Sequence, residues 1–462
     1  MTHTQKTFSP IDGSLYVERE QASSEKISEA VLLAKNAQRA WRSLSLGERQ
    51  DFCSKAIDAF SANKGQIAEE LCWQMGRPIR YAAGEVASYA ERAHYMISIA
   101  EEALAPIQTS EKEGFKRYIS RDPVGVVLVI APWNYPLHTP INAIIPALLA
   151  GNTVILKHSS QTPLCAERIY DAFKAAGLPE GVFQYLHMSH ASTESLIQRP
   201  EIGAVAFTGS VTGGKQVEKA AAGRFINVGL ELGGKDPAYI RQDADISYAV
   251  ETTVDGAFFN SGQSCCGIER IYVHEAIYDE FLAQYVALTS QYKLGRSDDS
   301  ETTLGPMVKP SAADFVREQI ADALKQGATA HIAPSDFELD EIGTAYMAPQ
   351  VLSGVDHSMR VMTEESFGPV VGIMKVRSDD EAVRLMNDSE FGLSASIFSA
   401  DIDCAIALGQ QIETGTFFVN RSDFLDPELA WTGVKNTGRG CTLSIKGFDS
   451  FTQLKSFHIK QL

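Results

Sequence analysis

The sequence has no surplus of basic charge: 41 lysines and arginines face 58 aspartates and glutamates, a net charge of −17 over 462 residues. Nucleic-acid binding relies on basic footprints, so this deficit argues against it. Nor does it favour an anionic membrane surface. An anionic cofactor stays compatible, because a helix N-terminus or one lysine overrides the global field locally. No apolar run reaches transmembrane length; the longest, 124–132, is broken by Gly125 and ends in a turn. The polar stretch 1–10 contains no apolar signal-peptide core. Cysteine is sparse, an odd seven scattered at 53, 72, 165, 265, 266, 404 and 441, with no Cys-x-x-Cys pair. Disulfide frameworks and metal centres are therefore both disfavoured, and a reducing cytoplasm fits best. No Gly-x-Gly-x-x-Gly follows a strand, so the ordinary dinucleotide fingerprint is also missing.

What is present is an ordinary globular composition, 44% hydrophobic and 21% charged. The length exceeds one compact core, which predicts two or more domains. Ile27, Ala30, Val31, Ala34, Ala37 and Trp41 recur at helical spacing behind the capping serines Ser23 and Ser24, and the chain up to about residue 112 reads mostly as helix. From residue 113 the pattern changes. Phe115 to Ser120 alternates like an exposed strand. Val126 to Ile130 is continuously apolar, as a parallel strand covered on both faces should be. Asn152 to Lys157 and Ala204 to Thr208 repeat that theme, with helical stretches Pro140 to Ala150 and Leu164 to Ala176 between. This alternation predicts a doubly wound α/β unit. A second α/β set follows Gly234, with strands expected at Ile268 to His274, Val370 to Val376, Ala395 to Ser399 and Thr416 to Asn420. Lys455 to Lys460 reads as one more strand. Neither it nor the Phe115 strand has a partner nearby in sequence.

Two glycine-rich turns carry the chemistry. Cys265 lies in Ser261-Gly262-Gln263-Ser264-Cys265-Cys266-Gly267, and Glu231 opens Glu231-Leu232-Gly233-Gly234-Lys235. A thiol is already nucleophilic at neutral pH, and a carboxylate can deprotonate it or activate water against a covalent intermediate. Most cysteines are small buried hydrophobes and most glutamates are surface charges. Flanking glycines weaken both readings, because they mark close backbone approach rather than core packing.

These turns, with Pro132-Trp133-Asn134-Tyr135-Pro136, Lys157 to Pro163, Phe207-Thr208-Gly209-Ser210 and Glu364-Glu365-Ser366-Phe367-Gly368-Pro369, closely resemble the aldehyde dehydrogenase superfamily. The likeness runs from about Phe8 to the C-terminus. It implies two doubly wound α/β domains, one a variant Rossmann cofactor domain (1–112 and 124–234) and one catalytic (235–440). It also implies a small β arm for homo-oligomerisation (113–123 and 441–462), forming a dimer or tetramer. The implied reaction oxidises an aldehyde to the free acid with NAD(P)+. Cys265 would be the nucleophile and Cys266 a pocket-lining neighbour. Glu231 would be the general base, a residue that acyl-CoA-forming relatives usually lack. Asn134 would donate to the oxyanion with the Cys265 backbone N–H.

For the cofactor, the resemblance implies a variant turn, Gly209-Ser210-Val211-Thr212-Gly213-Gly214, at a helix start that suits a pyrophosphate. Lys157 would hold the adenosine ribose, Glu365 the nicotinamide ribose, with Phe367 and Trp133 beside it. Many NAD-preferring relatives carry glutamate where Ser160 stands; a carboxylate there repels a 2′-phosphate, so NADP acceptance is expected. Lys235 reads as a surface charge. Implied substrate-facing residues are Tyr135, His138, Thr139, Asn142, Ser264, Cys266, Leu425 and Trp431. Asn142 stands where relatives acting on succinate semialdehyde often carry arginine. Arg421 is expected to pair with Asp423 or Asp426 rather than substitute for it. A semialdehyde dehydrogenase for a carboxylated substrate, a cofactor-independent thiol esterase and a non-catalytic protein of the same fold are the alternatives.

Overall fold

The computed structural model describes residues 3–422 and 424–461. Two largely parallel sheets organise it. The strand Val126–Ile130 is buried at every position. Each such branched side chain contributes about 1.5–3 kcal/mol relative to exposure. It pairs in parallel with Thr153–Lys157 on one side and Ile202–Thr208 on the other. Phe183–Tyr185 extends the first side and Asn227–Glu231 the second. Gly438–Arg439 adds an antiparallel edge beside Glu231, making six strands. Strand order thus reverses between Val126–Ile130 and Ile202–Thr208. Connections leave such a reversal in opposite directions, which opens a crevice beyond the strand ends. Residues 131–136 and the Gly209 turn both emerge there.

Helices cover this sheet. His138–Leu149 is buried along nearly its whole length. Ser24–Ser43 is capped by Ser23, whose hydroxyl accepts from the Lys26 N–H, and buries Ile27, Ala30, Val31, Ala34 and Trp41 as their spacing requires. The Trp41 indole donates to the Leu148 carbonyl at 2.9 Å, tying the two helices together. Ahead of that helix lies a hairpin, Thr4–Phe8 with Leu15–Glu20, where sequence periodicity predicted none.

The second sheet has seven strands in the order Thr329–Ala330, Gln350–Ser353, Val370–Val376, Ile268–His274, Asp236–Ile240, Ser394–Phe398 and Thr416–Val419. Only the Thr329–Ala330 edge is antiparallel. The two strands without local partners turn out to be partners of each other. Thr452–Lys460 runs antiparallel to Phe115–Pro123, and Ile107–Gln108 pairs the other edge of Phe115–Pro123. Tyr118 and Phe457 stack across the pair with centroids 4.6 Å apart. Among the described residues no helix is long and apolar enough to cross a membrane.

Candidate active site

The turn before Cys265 is strained. Asn260, Ser261 and Gly262 are consecutive left-handed residues, at φ 54°, 56° and 69°. Such non-glycine backbone costs about 1–3 kcal/mol per residue and persists only where surroundings fix it. Here hydrogen bonds do so. The Asn260 amide donates to the carbonyls of Asn134 and Gln263, both at 3.2 Å. The Ser261 hydroxyl donates to Gly305 O at 2.8 Å, and Gln263 Oε1 accepts from Val308 N at 2.7 Å. A Cβ on Gly262 would collide with the Gly368 carbonyl, and one on Gly234 with the carbonyl of Cys265 itself. The glycines of both turns therefore serve close approach, and Cys265 emerges partly exposed.

Asn134 is buried beside this turn, and its amide donates to Gln263 O at 3.2 Å. That bond uses one of two amide hydrogens and leaves the other for a ligand. The Asn134 carbonyl is fixed by Arg77, whose Nη2 donates at 2.7 Å while Nη1 pairs with the buried Glu85 carboxylate and Nε donates to Asn260 Oδ1 at 3.3 Å. Glu231 ends the strand Asn227–Glu231. Its carboxylate accepts from Thr208 Oγ1 at 2.9 Å and Thr442 Oγ1 at 2.5 Å. Burial raises this carboxyl above its ordinary value, against the two threonine bonds and the Arg92 charge.

Cys265 and Glu231 line one cavity of about 470 Å³. Tyr135, His138, Thr139, Asn142, Cys266, Leu425 and Trp431 line it too. Ser264 does not; it is buried behind the loop, with its hydroxyl 3.5 Å from Cys266 Sγ. Arg421 lays its guanidinium over the Phe424 ring, 3.7 Å from the centroid, and makes no ion pair with Asp426. Asp423 lies outside the described residues. No group of three His, Cys, Asp or Glu among the described residues is placed to hold a metal ion.

The residues expected to hold a dinucleotide lie outside the lining of that cavity. Gly209 and Gly213 leave room that a Cβ would deny, because the Phe207 ring packs against both. Ser210 caps the helix Val211–Ala221, accepting from Gly213 N at 3.1 Å. Lys157 ends a buried strand, and burial lowers its ammonium to about 8. No ion pair or side-chain hydrogen bond among the described residues satisfies it, so the site retains a donor for a ligand hydroxyl. Ser160 is exposed, with its carbonyl accepting from the Thr7 hydroxyl at 2.7 Å. Trp133 meets Phe367 edge to face, centroids 5.7 Å apart. Glu365 accepts from Gly234 N at 2.9 Å, and burial, aided by the nearby Glu269 charge, pushes its carboxyl up to about 7. These features fit a dinucleotide.

Lys235 is a correction. It is not a surface charge but wholly buried, 2.5 Å from Glu269 and 3.0 Å from the Ser366 hydroxyl. Glu269 also accepts the backbone N–H groups of Ser366 and Phe367, at 2.8 and 2.9 Å. This one carboxylate therefore clamps the turn that follows Glu365, including left-handed Phe367 at φ 50°. Sequence reading passed over Glu269, although a Glu-Arg pair inside an apolar strand signals buried charges that must be paired. Removing one partner of a buried pair costs about 3–5 kcal/mol, so Glu269→Gln is expected to lower stability by about 3 kcal/mol in denaturant unfolding. The same variant should raise KM for the dinucleotide about tenfold, because the Glu365 turn loses one of its two backbone acceptors and Lys235 loses its counter-charge.

A thiol, a carboxylate and a dinucleotide-type sheet converging on one cavity define a cofactor-dependent oxidoreductase. Its family is shown by comparison: residues 1–457 match the model of the Aldehyde dehydrogenase family, and the chain belongs to it. It is similar to an aldehyde dehydrogenase of Paenarthrobacter nicotinovorans, 34% identical over 453 residues, covering 97% of this chain and 98% of that one. It is also similar to the succinate-semialdehyde dehydrogenase [NADP(+)] 1 of Mycobacterium tuberculosis, 32% identical over 455 residues, 98% and 99% of the two chains. Among solved structures it resembles an NADP-dependent glyceraldehyde-3-phosphate dehydrogenase from Bacillus halodurans C-125 complexed with NADP. That match has a TM-score of 0.93, 31% identity, and covers 100% of this chain and 96% of the other. The protein is an NAD(P)-dependent aldehyde dehydrogenase with the expected α/β fold.

Proposed function

We propose that the enzyme oxidises its aldehyde at Cys265 and releases the free acid by hydrolysis primed by Glu231. The observation that carries this is their meeting on one cavity. The Cys265 thiolate adds to the aldehyde carbon, and the new oxyanion accepts hydrogen bonds from the Asn134 side-chain amide and the Cys265 backbone N–H. NAD(P)+, when bound, would supply the hydride acceptor, and the Cys265 adduct, on losing hydride, would become a thioester. Glu231 then takes a proton from water as it attacks the thioester carbonyl, and the Cys265 thiolate leaves. Lys157 and Glu365 would hold the two riboses, Trp133 and Phe367 the nicotinamide side, and the Gly209-Ser210 turn the pyrophosphate. Tyr135, Asn142, Cys266, Leu425 and Trp431 would face the substrate. The two sheets support assigning cofactor binding to 1–112 and 124–234 and catalysis to 235–440.

The arm, 113–123 and 441–462, we assign to homo-oligomerisation in the cytoplasm. Its strand Thr452–Lys460 exposes Leu454 and Ile459 and has one edge without a partner strand. A second reading, oxidation of a carboxylated semialdehyde, is supported by the name of the mycobacterial relative.

Reduced-nicotinamide absorbance across a panel of aldehydes with both nucleotides tests the reaction. Cofactor-independent ester cleavage without that signal would contradict it. With no carboxylate at Ser160, kcat/KM for NADP+ should lie within about tenfold of that for NAD+ or above it. Ser160→Glu should cut the NADP+ value by at least about 100-fold and spare NAD+, since a like charge placed against a ligand costs several kcal/mol.

A further inference from the structure

The helix Ile79–Ser98 lends one face to the cavity, with Tyr81, Glu85, Ser88 and Arg92 at helical spacing. The charges on that face are not alike. Glu85 is committed to Arg77 and to the Leu137 N–H at 3.0 Å. Glu231, across the cavity, is committed to its two threonines. Arg80 is exposed and lies over the Tyr81 ring, 5.3 Å from its centroid. Arg92 differs from all of these. It is partly buried, lines the cavity, and has no hydrogen bond or ion pair with any described residue. A guanidinium cannot shed its proton, and its partly buried donors have no protein acceptor to turn to. Asn142, buried in the same cavity, likewise leaves its amide oxygen without a partner. Two polar groups of the cavity are thus not consumed by the protein.

We propose that Arg92 anchors a carboxylate carried by the substrate away from its aldehyde, making carboxylated semialdehydes the substrate class. A guanidinium fork accepts a carboxylate through two parallel N–H···O bonds, and one fork balances one charge. A phosphate dianion would need a second committed cation, and the cavity's other inner arginine, Arg77, is already paired. The ligand's carboxylate completes the donors of Arg92 as the aldehyde end reaches Cys265. This inference rests on the reading of Cys265 as nucleophile.

Arg92 could instead act only as a counter-charge to Glu231, whose carboxyl its field lowers. The two roles separate kinetically. The test compares succinate semialdehyde with butanal, of equal chain length, on the wild-type enzyme and on Arg92→Gln and Arg92→Lys. As an anchor, Arg92→Gln should cut kcat/KM for the semialdehyde by about 100-fold through KM, change butanal by less than about threefold, and be partly rescued in Arg92→Lys. An equal fall for both aldehydes through kcat would overturn the anchor in favour of the counter-charge. Wild-type preference for butanal would also overturn it while leaving the oxidation intact. No cofactor reduction by the wild-type enzyme with any aldehyde would overturn the catalytic reading and the anchor together.

Discussion

Cys265→Ala should lower kcat for aldehyde oxidation by at least about 10⁴-fold, the scale seen when a covalent nucleophile is removed while binding survives. The loss is that large because no other group in the cavity can take its place. Cys266 is adjacent in sequence, but its side chain is buried against the Ser264 hydroxyl. Both thiols line the cavity, but only Cys265 is partly exposed to it. Cys266→Ala should therefore cost less than about tenfold, by altering a cavity wall rather than the reaction. Reduced-nicotinamide production with saturating aldehyde measures both. NAD(P)+ affinity, read by the quenching of protein fluorescence, should be unchanged in Cys265→Ala. A variant that kept even a tenth of the normal rate would remove Cys265 from the mechanism.

How much of this was legible in the sequence depended on range. Val126–Ile130 announced itself, because a continuous apolar run flanked by Gly125 and a turn has few alternatives to a buried strand. Ile268–His274 and Val370–Val376 likewise appear where their runs put them. Asp236–Ile240 did not stand out, since an Asp-Pro start reads as a turn and only the sheet around it makes it a strand. The arm strands were visible as strands but not as partners. Residues 115 and 460 pair across about three quarters of the chain, and local pattern carries no information about that.

The site divides the same way. Cys265, Glu231 and Asn134 stood out through glycine-rich turns and family likeness. What supports them did not: Thr208 and Thr442 on Glu231, Glu269 with Lys235 behind Glu365, and Arg77 behind Asn134. Each of these is a common residue type made specific by a distant partner. Lys235 was misread for that reason. A lysine after two glycines looks exposed until the strand bearing Glu269 is placed beside it.

Glu231→Gln should separate the two halves of the reaction. The substituted amide cannot accept a proton from water, while thioester formation needs only Cys265, the oxyanion donors and the cofactor. The expected time course is a burst of about one reduced nicotinamide per site, then turnover slowed about 10³-fold, within the usual range for a general base. The stalled acyl group should be visible as a mass increment on the peptide containing Cys265. A slow variant without burst or acyl mass would mean that Glu231 acts before the thioester forms. The pH profile adds a second check. A base works deprotonated, so hydrolysis is lost as pH falls through the Glu231 pKa, which burial has raised above the ordinary carboxylate range. The Thr442 bond opposes that rise, because it favours the charged form. Thr442→Val should therefore move the acid limb to higher pH and leave the alkaline plateau within about threefold of normal, a displacement of roughly one unit for each 1.4 kcal/mol of lost hydrogen bond. If the limb moved to lower pH instead, the titrating group would not be the carboxylate that Thr442 holds.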